Sequence, residues 1–155
     1  MGDIGGTVEG GALLRWQNGG WVVNVNAAQG LNGGGNRGFS AYASVGYGGR
    51  LAERWTYSVG PNITWADSQF MQTYFGVTPD QAVRSGYRPY SPGSGVKDVG
   101  LAGTLTWRFT ERAAATALVE VSQLLDGAAD SPIVDQQGSA TQAFFGIGLS
   151  CRFSW

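Results

Sequence analysis

The chain has 155 residues (16.3 kDa), 10 Lys plus Arg against 11 Asp plus Glu, one Cys and no His. That inventory excludes His-dependent triads, dyads and HExxH zinc sites, internal disulfides and CxxC knuckles, and a basic nucleic-acid face. Charged residues are only 14% and glycines number 26, so the Lys- and Glu-rich exterior of an ordinary soluble domain is missing.

The first residues, Met1–Gly6, have neither the basic nor the apolar stretch of a secretory leader. Gly6 stands where a myristoylation signal needs Ser or Thr. No apolar run reaches 18 residues, so no transmembrane helix is expected. Alternation of period two then sets in, which is the mark of strands with one apolar face. It is weak over Val8–Trp16 and Trp21–Ala27 and clear over Phe39–Gly48 and Trp55–Trp65. It returns over Asp98–Phe109, Ala115–Ser122 and Phe145–Trp155. Seven long strands are therefore expected.

The connections alternate in length. Asn18-Gly19 reads as a two-residue hairpin turn with positive φ at both positions. Ala52-Glu53-Arg54 and Thr110-Glu111-Arg112 are also short turns. Longer loops are expected at about 30–38, 68–95 and 126–140. Gly33-Gly34-Gly35 reads as a loop tip. One helix is expected, with Thr78 as N-cap, Pro79 in its first turn, Gln81 completing a capping box and Gly86 as its stop. Pro61, inside a strand, predicts a bulge, an edge or a local break in the ladder.

Which face is wet decides the class. The polar face is mostly Gly, Ser, Thr and Asn with sparse charges, as a crowded lumen requires. Trp16, Trp21, Trp55, Trp107 and Trp155 all fall near the short turns or the C-terminus, with Trp65 at the opposite end, as in an aromatic girdle. The expected fold is all-β: a single domain, residues 1–155, forming an antiparallel up-and-down transmembrane β-barrel in the outer membrane. Seven strands conflict with the even strand number of bacterial barrels. An incomplete barrel lacking N-terminal strands resolves the parity, and self-association through open edges is the other resolution.

Tyr74-Phe75-Gly76-Val77-Thr78-Pro79, Ser85-Gly86-Tyr87, Pro89-Tyr90-Ser91-Pro92-Gly93, residues 95–100 and the stretch from Leu124 to Val134 carry a resemblance. With the terminal Gly146–Trp155 strand, they resemble the MipA/OmpV family of Gram-negative outer-membrane proteins. The likeness is close over residues 40–155 and looser before. It implies a scaffold that brings a murein-degrading transglycosylase and a murein synthase together, with outer-membrane lipid around it.

Candidate site residues follow from the facing. Glu9, Arg15, Arg50, Asp98, Arg108, Glu120 and Arg152 fall on the polar face. A lumen ion-pair network is the favoured reading, and a basic constriction selecting anions or small polar solutes is the other. Asp126, Asp130 and Asp135 share one loop, read as solvated rather than as a calcium or partner site. Ser131-Pro132 reads as a rigid turn fixing that loop. Cys151 is expected among apolar neighbours on the lipid side. No cofactor, metal, nucleic-acid partner or enzyme activity is expected. A passive pore and a soluble ligand-binding β-barrel are the alternatives to the scaffold.

Overall fold

The computed structural model describes residues 6–31, 35 and 37–153. Seven strands form one sheet in sequence order: β1 (Glu9–Asn18), β2 (Trp21–Gly30), β3 (Phe39–Ala52), β4 (Trp55–Ala66), β5 (Gly95–Arg108), β6 (Ala113–Leu124) and β7 (Thr141–Cys151). Every neighbouring pair is antiparallel. Among the described residues β1 and β7 do not pair with each other, so the meander is an open wall.

Residues directly opposed across a ladder share a face. One such row is Arg15, Asn24, Ser44, Asn62, Gly100, Ser122 and Gln142, polar or Gly on all seven strands. The row beside it on the other face begins Leu14, Val25, Ala43, Ile63 and Val99. The polar face is concave, since a single cavity there draws residues from β1 to β6, among them Arg15, Asn24, Ser44, Ser58, Thr104 and Leu118. Burial is inverted relative to a soluble domain. Asn62 and Asp98 on the concave side are each 4% exposed, whereas Ile147 and Leu149 on the convex side are 72% and 77% exposed.

The turn chemistry departs from expectation by one residue. Asn18 and Trp21 pair, so the hairpin turn is Gly19-Gly20, with φ of 54° and 88°, rather than Asn18-Gly19. Two glycines accept left-handed φ more cheaply than Asn followed by Gly. Pro61 sits in a central strand, not at an edge. The β3–β4 pairing passes from Ser44–Asn62 to Tyr47–Val59 with no pair between and no change of register. The ladder therefore breaks there without a bulge, as a residue lacking an N–H requires. A Cβ on Gly60 would run into the Val45 carbonyl, so β3 approaches closely at this break. Phe109 falls just beyond β5 and packs on Trp107 at 5.5 Å. Trp155, Gly33 and Gly34 lie outside the described residues.

The long loops are more ordered than the alternation suggests. The expected helix is present as α2 (Pro79–Ser85), with the Thr78–Gln81 capping box and Gly86 at φ 78°. Three others were not expected: α1 (Ser68–Phe75), α3 (Asp126–Ala129) and α4 (Pro132–Gln137). Each is too short to display a helical period, so only caps mark α1 and α4, and α3, with Leu125 at its N-cap, has no side-chain cap to mark it. Asp67 caps α1 by accepting from the Phe70 N–H at 2.8 Å. Ser131 caps α4, with Pro132 in its first turn.

Candidate functional site

Two places combine unusual chemistry with built geometry: the concave face, and a cap of loop helices at its long-loop end. All seven predicted charges lie on the concave face, since each is in register with that face's rows or continues them. They do not come together as one network. Arg50, Arg108 and Arg152 stand at or beside the short-turn end, and Arg15 three residues from its turn. Glu9, Asp98 and Glu120 stand towards the long loops. On β5 alone, Asp98 and Arg108 are ten residues apart, roughly 33 Å along the strand. Among the described residues the one ion pair joins Lys97 and Asp98, and the four arginines make none. Among the described residues no ion pair therefore joins two of the seven, and their charges are separated along the wall.

Lys97 is the residue that alternation missed. By parity it belongs on the convex, apolar side. The register of β4 with β5 shifts between Thr64–Asp98 and Trp65–Val96, leaving Lys97 as the extra residue of a bulge. A bulge re-aims a side chain, and Lys97 turns to pair with its neighbour Asp98. The available signal was its solitude: the only lysine in the chain falls by parity on the side of β5 that otherwise carries Val99, Leu101, Leu105 and Trp107.

Lys97 and Asp98 line a cavity of about 620 Å³ with Tyr42, Thr64, Glu120 and Phe144. At the opposite end Arg108, Arg112 and Arg152 share a second cavity of about 500 Å³ with Glu111. Cys151, exposed at the end of β7, lines the same cavity.

The cap contains the hydrophobic core: Ala66, Met71, Leu124 and Ala128 are buried together, with Phe70, Phe75 and Val134 packed against them. Its polar ties join segments distant in sequence. Ser131 is fully buried, and its hydroxyl donates to the Phe75 carbonyl at 2.7 Å while accepting from the Ile133 N–H. The Tyr90 hydroxyl donates to the Gly127 carbonyl at 2.9 Å, and Arg88 donates to the Asp130 carbonyl at 3.3 Å. Val77 and Tyr90 exchange backbone hydrogen bonds of 2.8 and 2.9 Å. Burial and the Asp130 charge raise the Tyr90 hydroxyl above its usual pKa, Arg88 opposing. Ser131-Pro132 thus fixes the loop, as a helix start rather than a simple turn.

The three loop aspartates serve separate ends. Asp126 opens α3 at φ 42°, Asp130 is its C-cap, and Asp135 lies in the first turn of α4. Among the described residues no three carboxylate or thiol groups are placed to hold a metal.

The convex face carries aromatics at two heights. Trp55 and Trp107 stack at 5.8 Å, and Trp21 meets Tyr47 edge-on at 5.2 Å, all near the short turns. Phe39 and Trp65 pair at 6.1 Å at the other end.

Comparison with known families matches residues 1–153 to the family described as MltA-interacting protein MipA. The match therefore includes the first 40 residues, where the sequence likeness was looser. No curated protein and no solved structure matches the chain.

Proposed function

The chain belongs to the MltA-interacting protein (MipA) family, and from that premise we propose that it is a non-catalytic outer-membrane protein whose strands form barrel wall. The observation that carries this is the inverted burial: an exposed apolar convex face over a polar concave one. A soluble ligand-binding barrel would place these faces the other way round. The aromatic spacing supports the same reading. Trp55 and Trp65 are ten residues apart on β4, roughly 33 Å of strand, and roughly 25 Å of height at the about 40° tilt of outer-membrane barrels. That equals the apolar band such barrels present to lipid. A bilayer accepts only closed sheets, so β1 and β7 are the edges at which closure takes place.

The family name supplies the partner. We assign the chain a scaffolding role between a murein-degrading transglycosylase and a murein synthase, reached from the short-turn side. The test is in two parts. Density-gradient fractionation of cells is expected to place the protein with outer-membrane markers, resistant to extraction without detergent. Affinity capture from solubilised membranes is expected to retain a murein transglycosylase, and capture of neither class of murein enzyme would defeat the scaffold. A second reading, a passive pore for small polar solutes, is favoured by the small polar residues of the concave face. Liposome swelling tests it, and anion preference unchanged by Arg108→Ala would remove the basic-constriction form.

A further inference from the structure

The cavity around Lys97 has features that neither a scaffold nor a passive wall requires. Lys97 and Asp98 neutralise each other. Glu120 is left as the uncompensated charge, since among the described residues it has no ion-pair partner. Phe144 is directly opposite Glu120 across the β6–β7 ladder. This places an aromatic ring, 61% exposed, on the polar face beside a carboxylate. Tyr42 lines the same cavity, and its hydroxyl lies within electrostatic range of Glu120 and Asp98.

Next to Tyr42 is Asn62, 4% exposed, whose Oδ1 and Nδ2 are both buried and, among the described residues, meet only the Tyr42 hydroxyl, without good hydrogen-bond geometry. A Cβ on Gly100 would touch Asn62 Oδ1 at 2.8 Å and the cavity-lining Ser122 at 2.9 Å, so the carboxamide is packed behind the cavity wall. Orphaned buried amides are costly and rare.

We propose that this cavity is a binding site for a small organic cation bearing a primary ammonium group. Glu120 supplies the counter-charge, the Phe144 ring a cation–π face, and the Tyr42 hydroxyl, backed by Asn62, an oxygen acceptor for the ammonium protons. The volume, about 620 Å³, lies within the about 300–1,000 Å³ of small-molecule sites. Anions are disfavoured because Lys97, the only cation lining the cavity among the described residues, is already paired. A divalent metal is disfavoured because one unengaged carboxylate beside an aromatic ring is a poor oxygen cage. The loops above the cavity hold five aspartates against three arginines, a field that gathers cations.

The test is calorimetric titration of the folded full-length protein, near neutral pH, with butylamine. Butyrate, which has the same carbon skeleton length and the opposite charge, and Mg²⁺ serve as comparators. Saturable binding of butylamine and none of butyrate is expected. Glu120→Gln is expected to weaken binding roughly tenfold or more, the loss of a charge-assisted contact, and Phe144→Leu about threefold, the loss of a cation–π contact. Arg108→Gln, at the far end of the same face, should leave it unchanged. Strand content by circular dichroism confirms that each variant folds. If Glu120→Gln does not fold, Phe144→Leu carries the test alone. Absent butylamine binding, equal binding of butyrate, displacement by equimolar Mg²⁺, or indifference to the variants that fold would each overturn the proposal. Extraction without detergent would defeat the outer-membrane reading instead, and ammonium binding by the released protein would still stand.

Discussion

The wall and the cap are built by opposite rules within one chain. In the wall, large apolar side chains such as Leu101, Val121 and Leu149 are exposed, and cohesion comes from six antiparallel ladders. In the cap, Met71 and Leu124 are 1% and 2% exposed, around a small core of ordinary kind. Hydrophobic burial drives packing where water is the solvent. Where lipid replaces water, a protein instead has to satisfy its backbone internally, and apolar side chains are left facing outwards. The two regions therefore answer differently to the same substitution, and that difference can be broken experimentally.

The largest contrast is in truncation. Met71→Ala opens a cavity in the cap and is expected to cost about 2–5 kcal/mol. Leu101→Ala removes a similar side chain from the convex wall, where it packs on no protein core, and should cost well under about 1 kcal/mol in detergent. Denaturant titrations of both variants, followed by strand signal and by cap tryptic sensitivity, measure the two. Equal costs would mean that the wall has an ordinary core on its convex side.

Charge insertion probes the solvent directly. Val119 is mid-strand on the convex face of β6 and 49% exposed; Val83, on α2, is 87% exposed. In water both would accept Arg within about 0.5 kcal/mol. In a bilayer Val119→Arg is expected to cost about 2–4 kcal/mol, while Val83→Arg remains near neutral. Refolding yield into vesicles distinguishes them, and a neutral Val119→Arg would sink the lipid-facing assignment of the convex wall.

Within the cap, Ser131 is the tie between the third long loop and α1. Ser131→Ala leaves the Phe75 carbonyl without its 2.7 Å donor and α4 without its cap. The expected loss is about 1–3 kcal/mol. Ser131→Thr, which keeps the hydroxyl, has to fit an added methyl where exposure is zero, so proteolytic protection of α4 is the readout that isolates the lost hydrogen bond.

The wall was legible in the sequence because its period of two repeats over whole strands and its Trp residues mark height. All seven strands and the sharing of one face by Glu9, Arg15, Arg50, Asp98, Arg108, Glu120 and Arg152 followed from parity alone. Parity failed where register shifts: it cannot place Lys97, because a bulge is a property of two strands and not of one. Nor can it say which charges meet: among the described residues no two of those seven pair, and the four arginines lie nearer the short turns than the three carboxylates. The cap was half legible. α2 announced itself through the Thr78-Pro79 capping signal, whereas α1, α3 and α4 are too short for periodicity. The segments carrying the family likeness, around Phe75, Tyr90 and Ser131, were recognisable as motifs long before their common cause. They tie one small core together.

That core should also respond to pH, by the smallest of these effects. The Tyr90 hydroxyl donates to the Gly127 carbonyl, and burial with the nearby Asp130 charge raises its pKa above the ordinary value of 10.0. A group whose folded pKa lies above its unfolded one contributes stability that is complete below the unfolded pKa and lost as pH rises through the folded one. The cap is thus expected to loosen from about pH 10 upward, as the proton that bridges the second and third long loops is removed. Tyr90→Phe should cost about 1 kcal/mol near neutral pH, one hydrogen bond, and should flatten this alkaline loss. Amide hydrogen exchange of α3, compared between the two proteins on either side of the transition, reads both quantities. Exchange in β7, on the wall, should respond to neither the variant nor the pH. A wall that loosened with the cap would show that the two regions form one cooperative unit.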